Sequence, residues 1–531
     1  MENTSDKSAP RIVAAIDIGT NSVRMAVAQV LPDGQMEILE RMRRAVRLGQ
    51  DAFLRERISQ RSIQATTAIL RDYRRVLDTY RVSQVRAVAT SAVREAANSD
   101  SFLDRMLMAT GIEVEVIEPT EEARLTVNAL LHRIGEANDL NRGMSLVADI
   151  GGGGTLLTLL RDGRVSASGS YALGSIRLQE MLATSQDPAD RAADLLRYQI
   201  ASVVAMIKTS LALSEDRTFI AVGGDARFAA SQMGKPTGVA DLRAVRSKAF
   251  DRFVSRCANH TPAELARIHG MAFPDAETLV PALLGYQALL HATSAEEMLV
   301  SNVSMRDGLL LDLTQGLRAD ETEALLTSVL QSAAGIGEKY RYDAQHAAHV
   351  ADLAVRLFDE MRPDHKLSDR ERLLLRVAAI LHDVGTYVGS SAHHKHSYYL
   401  VANSEVVGLR RAEMNLIALV ARYHRRSPPK RTHVEYMALP REKRMVVSKL
   451  AALLRVADAL DRGHAQQVRD IRMERDPNEL ILHVAGVRDL TLERRAMAGK
   501  ADLFEDVYGL KVRLEEADAE PAELTRMTPG P

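Results

Sequence analysis

SLVADIGGGGTLLTLLRDG, at residues 145–163, joins two apolar strands through an aspartate and four glycines and ends in an Asp-Gly turn. RIVAAIDIGTNSVRMAVAQVLPDG, at residues 11–34, has the same order of features. Apolar runs separated by a short glycine-containing segment are typical of β-hairpins. Because strand, tip, strand and turn occur twice in this order, the sequence predicts two related α/β lobes that face each other across a cleft.

The composition limits the class of protein. A chain of 531 residues predicts three or four domains. The formal net charge of -1 and the 4% aromatic content do not favour nucleic-acid binding. A single cysteine, Cys257, is typical of a reducing compartment, and no apolar run approaches the roughly 18 residues of a membrane span. We therefore expect a cytoplasmic protein without nucleic-acid or membrane partners.

The apolar pattern changes after the second lobe. Segments such as ERLLLRVAAILHDVG and MVVSKLAALLRVADALDR repeat apolar residues at intervals of about 3.6, as packed helices do. DIRMERDPNELILHVAG then returns to a strand pattern. We predict a disordered tail at 1–10, a first lobe at 11–140, a second lobe at 141–320, a helical domain at 330–470, a small α+β domain at 471–517 and a tail at 518–531.

Further motifs follow the first DIG hairpin in a fixed order: ATSAVREAAN, EPTEEARL, the second DIG hairpin, LGSIRL and SNVSMRDGLL. This order resembles the exopolyphosphatase/guanosine pentaphosphatase (Ppx/GppA) family over nearly the whole chain. The resemblance implies an α/β fold with two actin-like (ribonuclease H-like, ASKHA) ATPase lobes, an all-α HD-type domain and a small α+β C-terminal module. It also implies a homodimer that removes terminal phosphate from inorganic polyphosphate, or acts on guanosine pentaphosphate.

Glycine loops suit a phosphate chain because backbone amides can approach oxygen where no Cβ intervenes. Arg94 matches the family position that holds the terminal phosphate, and its planar fork can donate to two oxygens. Arg306 matches another family position, to which we assign no task. One loop alone would be a plain hairpin, and Arg94 alone a surface arginine. The predicted phosphate-binding residues are Gly19, Thr20, Asn21, Ser22, Arg94, Gly151, Gly152, Gly153, Gly154 and Thr155.

Hydrolysis also needs a base and charge neutralisation. By resemblance, Glu122 is the catalytic carboxylate that activates water; burial would raise its pKa. Asp149, and with it Asp17, is expected to hold Mg²⁺, which would align the attack. Without the resemblance, Glu121 and Glu122 would be a solvated start of a helix, where acidic residues are favoured.

Two positions depart from the family pattern. The family's second loop reads three glycines, a serine, a small or apolar residue and a glutamate, whereas this chain has Gly154 for the serine and Leu156 for the glutamate. Leucine cannot coordinate Mg²⁺. Asp225, in GGDAR, replaces a threonine, and we expect its charge to repel bound phosphate. An alternative is therefore a regulator that binds polyphosphate or guanosine tetraphosphate with weakened hydrolysis.

A second set of ligands occurs in the helical region. His346, the adjacent pair His382–Asp383 and Asp458 resemble the H…HD…D ligands of HD-domain phosphohydrolases. Imidazole and carboxylate ligands suit Mn²⁺, Fe²⁺, Zn²⁺ or Mg²⁺. This set predicts a possible second divalent ion, and a third hypothesis places hydrolysis there. Further histidines that would extend the set to two ions are His394, His396 and His424.

The leading hypothesis is a Mg²⁺-dependent exopolyphosphatase. Glu122 and Asp149 are its catalytic residues, and inorganic polyphosphate or a guanosine polyphosphate is its substrate.

Overall fold

The computed structural model describes residues 11–31, 35–134, 143–183, 187–211, 213, 218–315, 319–425, 427–469, 471–487 and 489–517. The chain divides into an N-terminal unit, Met1–Ser328, and a C-terminal unit, Val329–Pro531. The tails predicted at 1–10 and 518–531 and the first Asp-Gly turn, at 33–34, lie outside the described residues. Among the described helices, none has the length and apolar character that crossing a bilayer requires.

The first sheet of the N-terminal unit has the strand order β3-β2-β1-β4-β5. Its strands are β1 (Arg11–Ile18), β2 (Ser22–Val30), β3 (Met36–Ala45), β4 (Gln84–Ala89) and β5 (Val114–Val116). The first three strands are antiparallel, and β4 and β5 continue parallel to β1. The helices of this lobe are α1 (Leu48–Arg55), α2 (Gln60–Thr79), α3 (Ser91–Arg94), α4 (Ser99–Thr110) and α5 (Pro119–Ile134).

Strand β1 is apolar on both faces because layers cover both sides of the sheet. Ala14 and Ile16 enter the hydrophobic cluster that contains Leu70 of α2. Val13 and Ala15, which point to the other face, enter a different cluster. This alternation fixes the register of β1 and thereby places the residue that follows it, Gly19, at the edge of the sheet.

The second sheet repeats this arrangement and has the order β10-β11-β12-β9-β6-β7-β8. Its strands are β6 (Met144–Ile150), β7 (Thr155–Arg161), β8 (Arg164–Tyr171), β9 (Thr218–Val222), β10 (Lys235–Pro236), β11 (Leu242–Arg246) and β12 (Glu297–Ser301). β6 forms a hairpin with β7 and runs parallel to β9, as β1 does with β2 and β4. Its helices are α6 (Ser175–Leu182), α7 (Ala189–Ser210), α8 (Gly224–Met233), α9 (Ser247–Ala258), α10 (Pro262–His269) and α11 (Phe273–Leu290).

Helix α12 (Met305–Gln315) returns to the first lobe after β12. Leu309 and Leu310 share a buried cluster with Val13 and Ala15 of β1 and Leu125 of α5. The last helix in the range predicted for the second lobe therefore packs on the first sheet. Helix α13 (Ala319–Lys339) spans the boundary between the two units.

The C-terminal unit is helical before it ends in a small sheet. Its helices are α14 (Ala344–Glu360), α15 (Arg362–His365), α16 (Asp369–Leu381), a 3₁₀ helix at Val384–Tyr387, α17 (His393–Ala402), α18 (Arg411–Arg422), α19 (Val434–Met437) and α20 (Arg441–Leu460). Helix α20 is the centre of this unit, because α14, α16 and α18 all pack against it. Its buried face is apolar except for Ser448, Arg455 and Asp458.

The C-terminal module consists of β13 (Ile471–Arg475), β14 (Glu479–Ala485), α21 (Thr491–Lys500), α22 (Asp502–Tyr508) and β15 (Lys511–Ala517). β14 pairs antiparallel with β13 and parallel with β15. Both helices pack against α20, so the module belongs to the same compact unit as the helices that precede it.

Candidate active site

The tips of the two hairpins line one cavity of about 400 Å³ in the N-terminal unit. The first tip joins β1 to β2, and the second joins β6 to β7. The predicted residues that line this cavity are Asp17, Gly19, Thr20, Asn21, Ser22, Arg94, Glu122, Asp149, Gly151, Gly152, Gly153 and Gly154. Residues far apart in sequence thus meet at one edge of two sheets, as the repeat predicted.

Thr155 is the exception among the predicted phosphate-binding residues. Its side chain is buried, and its hydroxyl donates a hydrogen bond to the carbonyl oxygen of Leu173 at 2.5 Å. The structure corrects this prediction, because a hydroxyl that is buried and already bonded within the protein is not presented to the cavity. Thr155 instead fixes the second tip against the segment before α6.

The carbonyl oxygens of the tips are hydrogen-bonded within the protein. Those of Gly151 and Gly152 accept from the first amides of α6 at 3.0 and 2.9 Å, and that of Thr20 accepts from the amide of Gly49 at 2.9 Å. Among the described residues, the tip amides without a hydrogen-bond acceptor include those of Thr20, Asn21, Gly152 and Gly153. Backbone amides that converge in this way form a concave site for an anion.

Gly174 allows α6 to approach the second tip. A Cβ on Gly174 would lie 2.3 Å from the carbonyl carbon of Gly153 and 2.4 Å from the amide nitrogen of Gly154. These are backbone atoms, so Gly174→Ala is expected to displace the tip, to lower the free energy of unfolding by about 1–3 kcal/mol and to weaken phosphate binding. Chemical denaturation and calorimetric titration with polyphosphate measure the two effects.

Gly224→Ala is the matched control, because a Cβ at Gly224 meets no atom within 4 Å. Equal stability and equal polyphosphate affinity in the two variants would show that the close approach of Gly174 to the tip has no consequence.

Arg94 and Glu122 form an ion pair at the cavity wall. Arg94 ends α3, which follows β4, and Glu122 lies in the first turn of α5, which follows β5. Nη1 of Arg94 donates to Oε1 of Glu122 at 2.8 Å and to the carbonyl oxygen of Ile117. The adjacent parallel strands β4 and β5 therefore bring these two side chains together at the same edge.

Burial raises the pKa of Glu122 to about 7, and the negative charges of Asp17 and Asp149 act in the same direction. The guanidinium of Arg94 opposes this rise. A carboxyl group with a pKa near the working pH can accept a proton and release it again. Glu122 therefore has the proton affinity that a general base needs near neutral pH.

Asp17 is held by two arginines. Nη1 of Arg306, from α12, donates to Oδ2 of Asp17 at 3.2 Å, and Nη1 of Arg24 lies 3.9 Å from the same oxygen. Arg24 is the register partner of Asp17 across the first hairpin. Arg306, to which the family resemblance assigned no task, thus neutralises a predicted metal ligand.

Asp149 has no ion pair within 4 Å among the described residues. Burial raises its pKa, while the charges of Arg227 and Arg24 lower it. Arg227 lies in α8, three residues after the glycine turn that follows β9. Of the two aspartates at the hairpin tips, Asp149 is the one whose oxygens are available to a cation.

The family resemblance implies Mg²⁺ at these aspartates. Among the described residues, the groups of three ligand atoms within 4.8 Å of one another do not include Asp17 or Asp149, so the cleft has no preformed cage. Mg²⁺ commonly binds through one or two carboxylates together with substrate phosphates and water. The residues fit an ion that Asp149 holds together with the substrate.

The two departures from the family pattern have different consequences. Leu156 lines the cavity and lies opposite Asp149 in the β6–β7 register, so an apolar side chain occupies the position beside this aspartate. Asp225 does not line the cavity; its Oδ1 accepts from the hydroxyl of Thr278 in α11 at 3.4 Å. Asp225 therefore does not contact the space that the glycine tips line, and the expected repulsion between Asp225 and phosphate stays a prediction. Burial and the charge of Asp275 raise the pKa of Asp225 to about 6.

The sequence analysis missed three arginines of the cavity: Arg24, Arg177 and Arg227. Arg177, in α6, donates from Nε to the carbonyl oxygen of Gly153 at 2.6 Å and pairs with Glu95. One signal was available for Arg24, because a hairpin with this tip places it beside Asp17. The other two depend on how α6 and α8 pack, which their local sequence does not specify.

The C-terminal unit brings the second predicted set of ligands together. His346 of α14, His382 at the end of α16 and Asp458 of α20 offer ligand atoms within 4.8 Å of one another. Asp383 forms a second group with His424, which follows α18, and with His393 of α17, and a third with His346 and the exposed His464. In the described structure, His394 and His396 belong to none of these three groups, so their suggested place is taken by His393. Of the three histidines in α17, only His393 lies within reach of the other ligand atoms.

The sequence pattern of the Ppx/GppA phosphatase family matches residues 26–316, more than half of the chain, and that of Ppx/GppA phosphatase domain III matches residues 330–498. This chain belongs to the Ppx/GppA phosphatase family. The family match begins at residue 26, within β2, so the hairpin tip between β1 and β2 lies just before the matched residues. Membership confirms the resemblance that the ordered motifs indicated.

Two solved Ppx/GppA structures and one curated relative are similar to the chain. Guanosine-5'-triphosphate,3'-diphosphate pyrophosphatase of Photobacterium profundum is 24% identical over 450 residues, which are 84% of this chain and 85% of that protein. An exopolyphosphatase from Cytophaga hutchinsonii is 22% identical, with a TM-score of 0.53 over 58% of this chain and 99% of that one. A family member from Aquifex aeolicus is 23% identical, with a TM-score of 0.48 over the same shares. The predicted actin-like α/β fold is confirmed, whereas the HD-type assignment of the helical domain stays a prediction.

Proposed function

We propose that this Ppx/GppA phosphatase is an exopolyphosphatase, which releases orthophosphate from the end of inorganic polyphosphate. The observation that carries the proposal is the pairing of Glu122, whose pKa burial raises to about 7, with Arg94 inside a cavity that both glycine tips line. This arrangement combines a base with donors for a polyanion. Both are requirements of hydrolysis at a terminal phosphate.

In the proposed reaction, the amides of the two tips and the fork of Arg94 hold the terminal phosphate. Glu122 accepts a proton from the water whose oxygen attacks the terminal phosphorus. The bridging P–O bond breaks, and the leaving oxygen stays on the shortened chain. Mg²⁺ bound through Asp149 would supply charge neutralisation at the phosphate oxygens. Arg227 adds positive charge to the lining of the same cavity.

The lining of the cavity favours polyphosphate over a guanosine polyphosphate. Tyr171 is the one aromatic side chain among the described lining residues, whereas five arginines line the same space. A nucleotide base gains much of its binding energy from stacking on aromatic rings, and a phosphate chain needs donors alone. The homodimer, the cytoplasmic location and the lack of nucleic-acid or membrane partners stay predictions from the sequence.

Orthophosphate release in the presence of Mg²⁺, measured with long-chain polyphosphate and with guanosine pentaphosphate, tests the proposal. We expect faster release from polyphosphate. Faster release from the nucleotide would instead identify a guanosine pentaphosphatase. Binding of polyphosphate without release from either substrate would support the regulator. Release that survives Glu122→Gln and fails in the double variant His382→Ala, Asp383→Ala would place the chemistry in the C-terminal unit.

Leu156→Glu is expected to raise the apparent affinity for Mg²⁺. The new carboxylate would face the cavity opposite Asp149 and supply a second unpaired acidic ligand. The Mg²⁺ concentration for half-maximal phosphate release should fall by about tenfold, equivalent to about 1.4 kcal/mol. Leu156→Gln, which adds a polar side chain without charge, should leave this concentration unchanged. An equal shift in both variants would contradict the carboxylate explanation.

A further inference from the structure

The C-terminal unit contains a buried cluster of metal-ligand side chains that the proposed reaction does not use. His346, His382, His424 and Asp458 are each 5% exposed or less. Nε2 of His346, Nε2 of His382 and Oδ1 of Asp383 are buried without a hydrogen-bond partner among the described residues. An unpartnered buried polar atom costs free energy, so three of them in one place call for a bound group.

With His393, which is less buried, the cluster has four histidines, and in each of them Nδ1 faces a hydrogen-bond acceptor of the protein. Nδ1 of His346 lies 2.8 Å from Oδ2 of Asp461, and Nδ1 of His393 lies 3.2 Å from the carbonyl oxygen of Ser390. Nδ1 of His382 and Nδ1 of His424 each lie 2.6 Å from the carbonyl oxygen three residues earlier in their helices. Because an acceptor at Nδ1 selects the tautomer with the proton there, all four Nε2 atoms present lone pairs to the interior.

His393, His424 and Asp383 place three ligand atoms at the separations expected around a single metal ion. Nε2 of His393 lies 3.2 Å from Nε2 of His424, and Oδ1 of Asp383 lies 3.2 and 3.3 Å from the same two nitrogens. Two ligand atoms bonded to one ion at about 2.0–2.1 Å are about 2.8–3.4 Å apart at angles between perpendicular and tetrahedral. The three separations all fall in this range.

The second oxygen of Asp383 lies on the side of His346, His382 and Asp458. Oδ2 of Asp383 lies 3.8 Å from Nε2 of His382, and Oδ1 of Asp458 lies 3.7 Å from Nε2 of His346. Oδ2 of Asp458 accepts from the ammonium of Lys500, at the end of α21, so one oxygen remains for a ligand. Asp383 therefore turns one oxygen towards each of these two sets of ligand atoms.

We propose that the C-terminal unit holds two divalent transition-metal ions bridged by Asp383. One ion is bound by His346, His382 and Asp458, and the other by His393 and His424. Four imidazoles with carboxylates suit Mn²⁺, Fe²⁺ or Zn²⁺, whereas Mg²⁺ prefers oxygen ligands. The centre lies wholly within the C-terminal unit and does not depend on the proposed exopolyphosphatase activity.

The test measures the metal content of the full-length chain after treatment with a chelator, reconstitution with Mn²⁺ and removal of free ion. The wild type is expected to retain about two Mn²⁺ per chain, and their low-temperature paramagnetic resonance spectrum should show exchange coupling through the bridge. His393→Ala is expected to retain about one ion and to lose the coupling. His396→Ala, on the same helix but outside all of the ligand groups, is the matched control and should retain two.

Wild-type protein that retains no Mn²⁺, or one ion without coupling, would overturn the proposal. Equal metal content in His393→Ala and His396→Ala would do the same. The wild-type spectrum decides the question if a variant fails to fold, which circular dichroism of each preparation reports. A shift of thermal unfolding to higher temperature upon addition of Mn²⁺ provides a readout without any substitution.

Discussion

Glu122→Gln is expected to lower the rate constant of phosphate release by about 10²–10⁴-fold, the range that a positioned general base contributes. Glutamine keeps the size of the side chain and its contact with Arg94 but cannot accept a proton from water. Polyphosphate affinity should persist or rise, because the variant removes a negative charge from the cavity wall. Steady-state kinetics with long-chain polyphosphate and calorimetric titration separate the two effects.

Glu121→Gln provides the control from the neighbouring position. Glu121 accepts from Arg86 at 2.9 Å and from Arg124 at 2.8 Å and does not line the cavity. We expect the rate constant of phosphate release by Glu121→Gln to stay within about threefold of the wild-type value. Any loss should be confined to thermal stability. A Glu122→Gln variant that keeps more than a tenth of the wild-type rate would refute the role of Glu122 as base.

Arg94→Gln is expected to change both the rate and its dependence on pH. Loss of a charged donor at the terminal phosphate should lower kcat/KM by about 10²–10³-fold. Glu122 must be deprotonated to act, so the wild-type kcat/KM should fall as the pH drops below about 7. Arg94 lowers the pKa of Glu122, and its removal should therefore move this acid limb to higher pH.

Arg177→Gln distinguishes this effect from a general loss of positive charge. Arg177 lines the same cavity but is not among the main influences on the pKa of Glu122. We expect Arg177→Gln to weaken polyphosphate binding and to leave the acid limb near pH 7. The pH profile of kcat/KM for the three proteins is the measurement. An acid limb that stays in place or moves to lower pH in Arg94→Gln would contradict the pairing as the cause.

The sequence was sufficient for features that repeat or are local. The two hairpins were predictable because apolar strands and glycine tips occur twice in the same order, and β1 and β6 occupy equivalent places in their sheets. The position of Glu122 at the start of a helix beside the cleft followed from the EPTEEARL motif. These features depend on residues that lie close together in sequence.

Features that depend on distant packing were missed. Arg306 meets Asp17 only because the apolar face of α12, with Leu309 and Leu310, returns to the first sheet. Asp225 accepts from Thr278 and stays outside the cavity lining because α11 packs against α8. No local pattern in GGDAR or SMRDGLL specifies these partners.

The same reason explains the histidine cluster. His393, His394 and His396 are nearly adjacent in sequence, and their chemistry is identical. Only the direction in which α17 begins decides that His393 meets Asp383 and His424. The resemblance to HD-domain ligands predicts a metal site, whereas the packing of α17 against α18 decides which of these histidines joins the group of ligand side chains.

A crystal structure of Glu122→Gln with a short polyphosphate chain and Mg²⁺ tests the central claim most directly. The account predicts the terminal phosphate within hydrogen-bond distance of Arg94 and of the free amides of both tips, with the substituted side chain facing its phosphorus. A phosphate chain bound elsewhere, or one that contacts neither glycine tip, would contradict it.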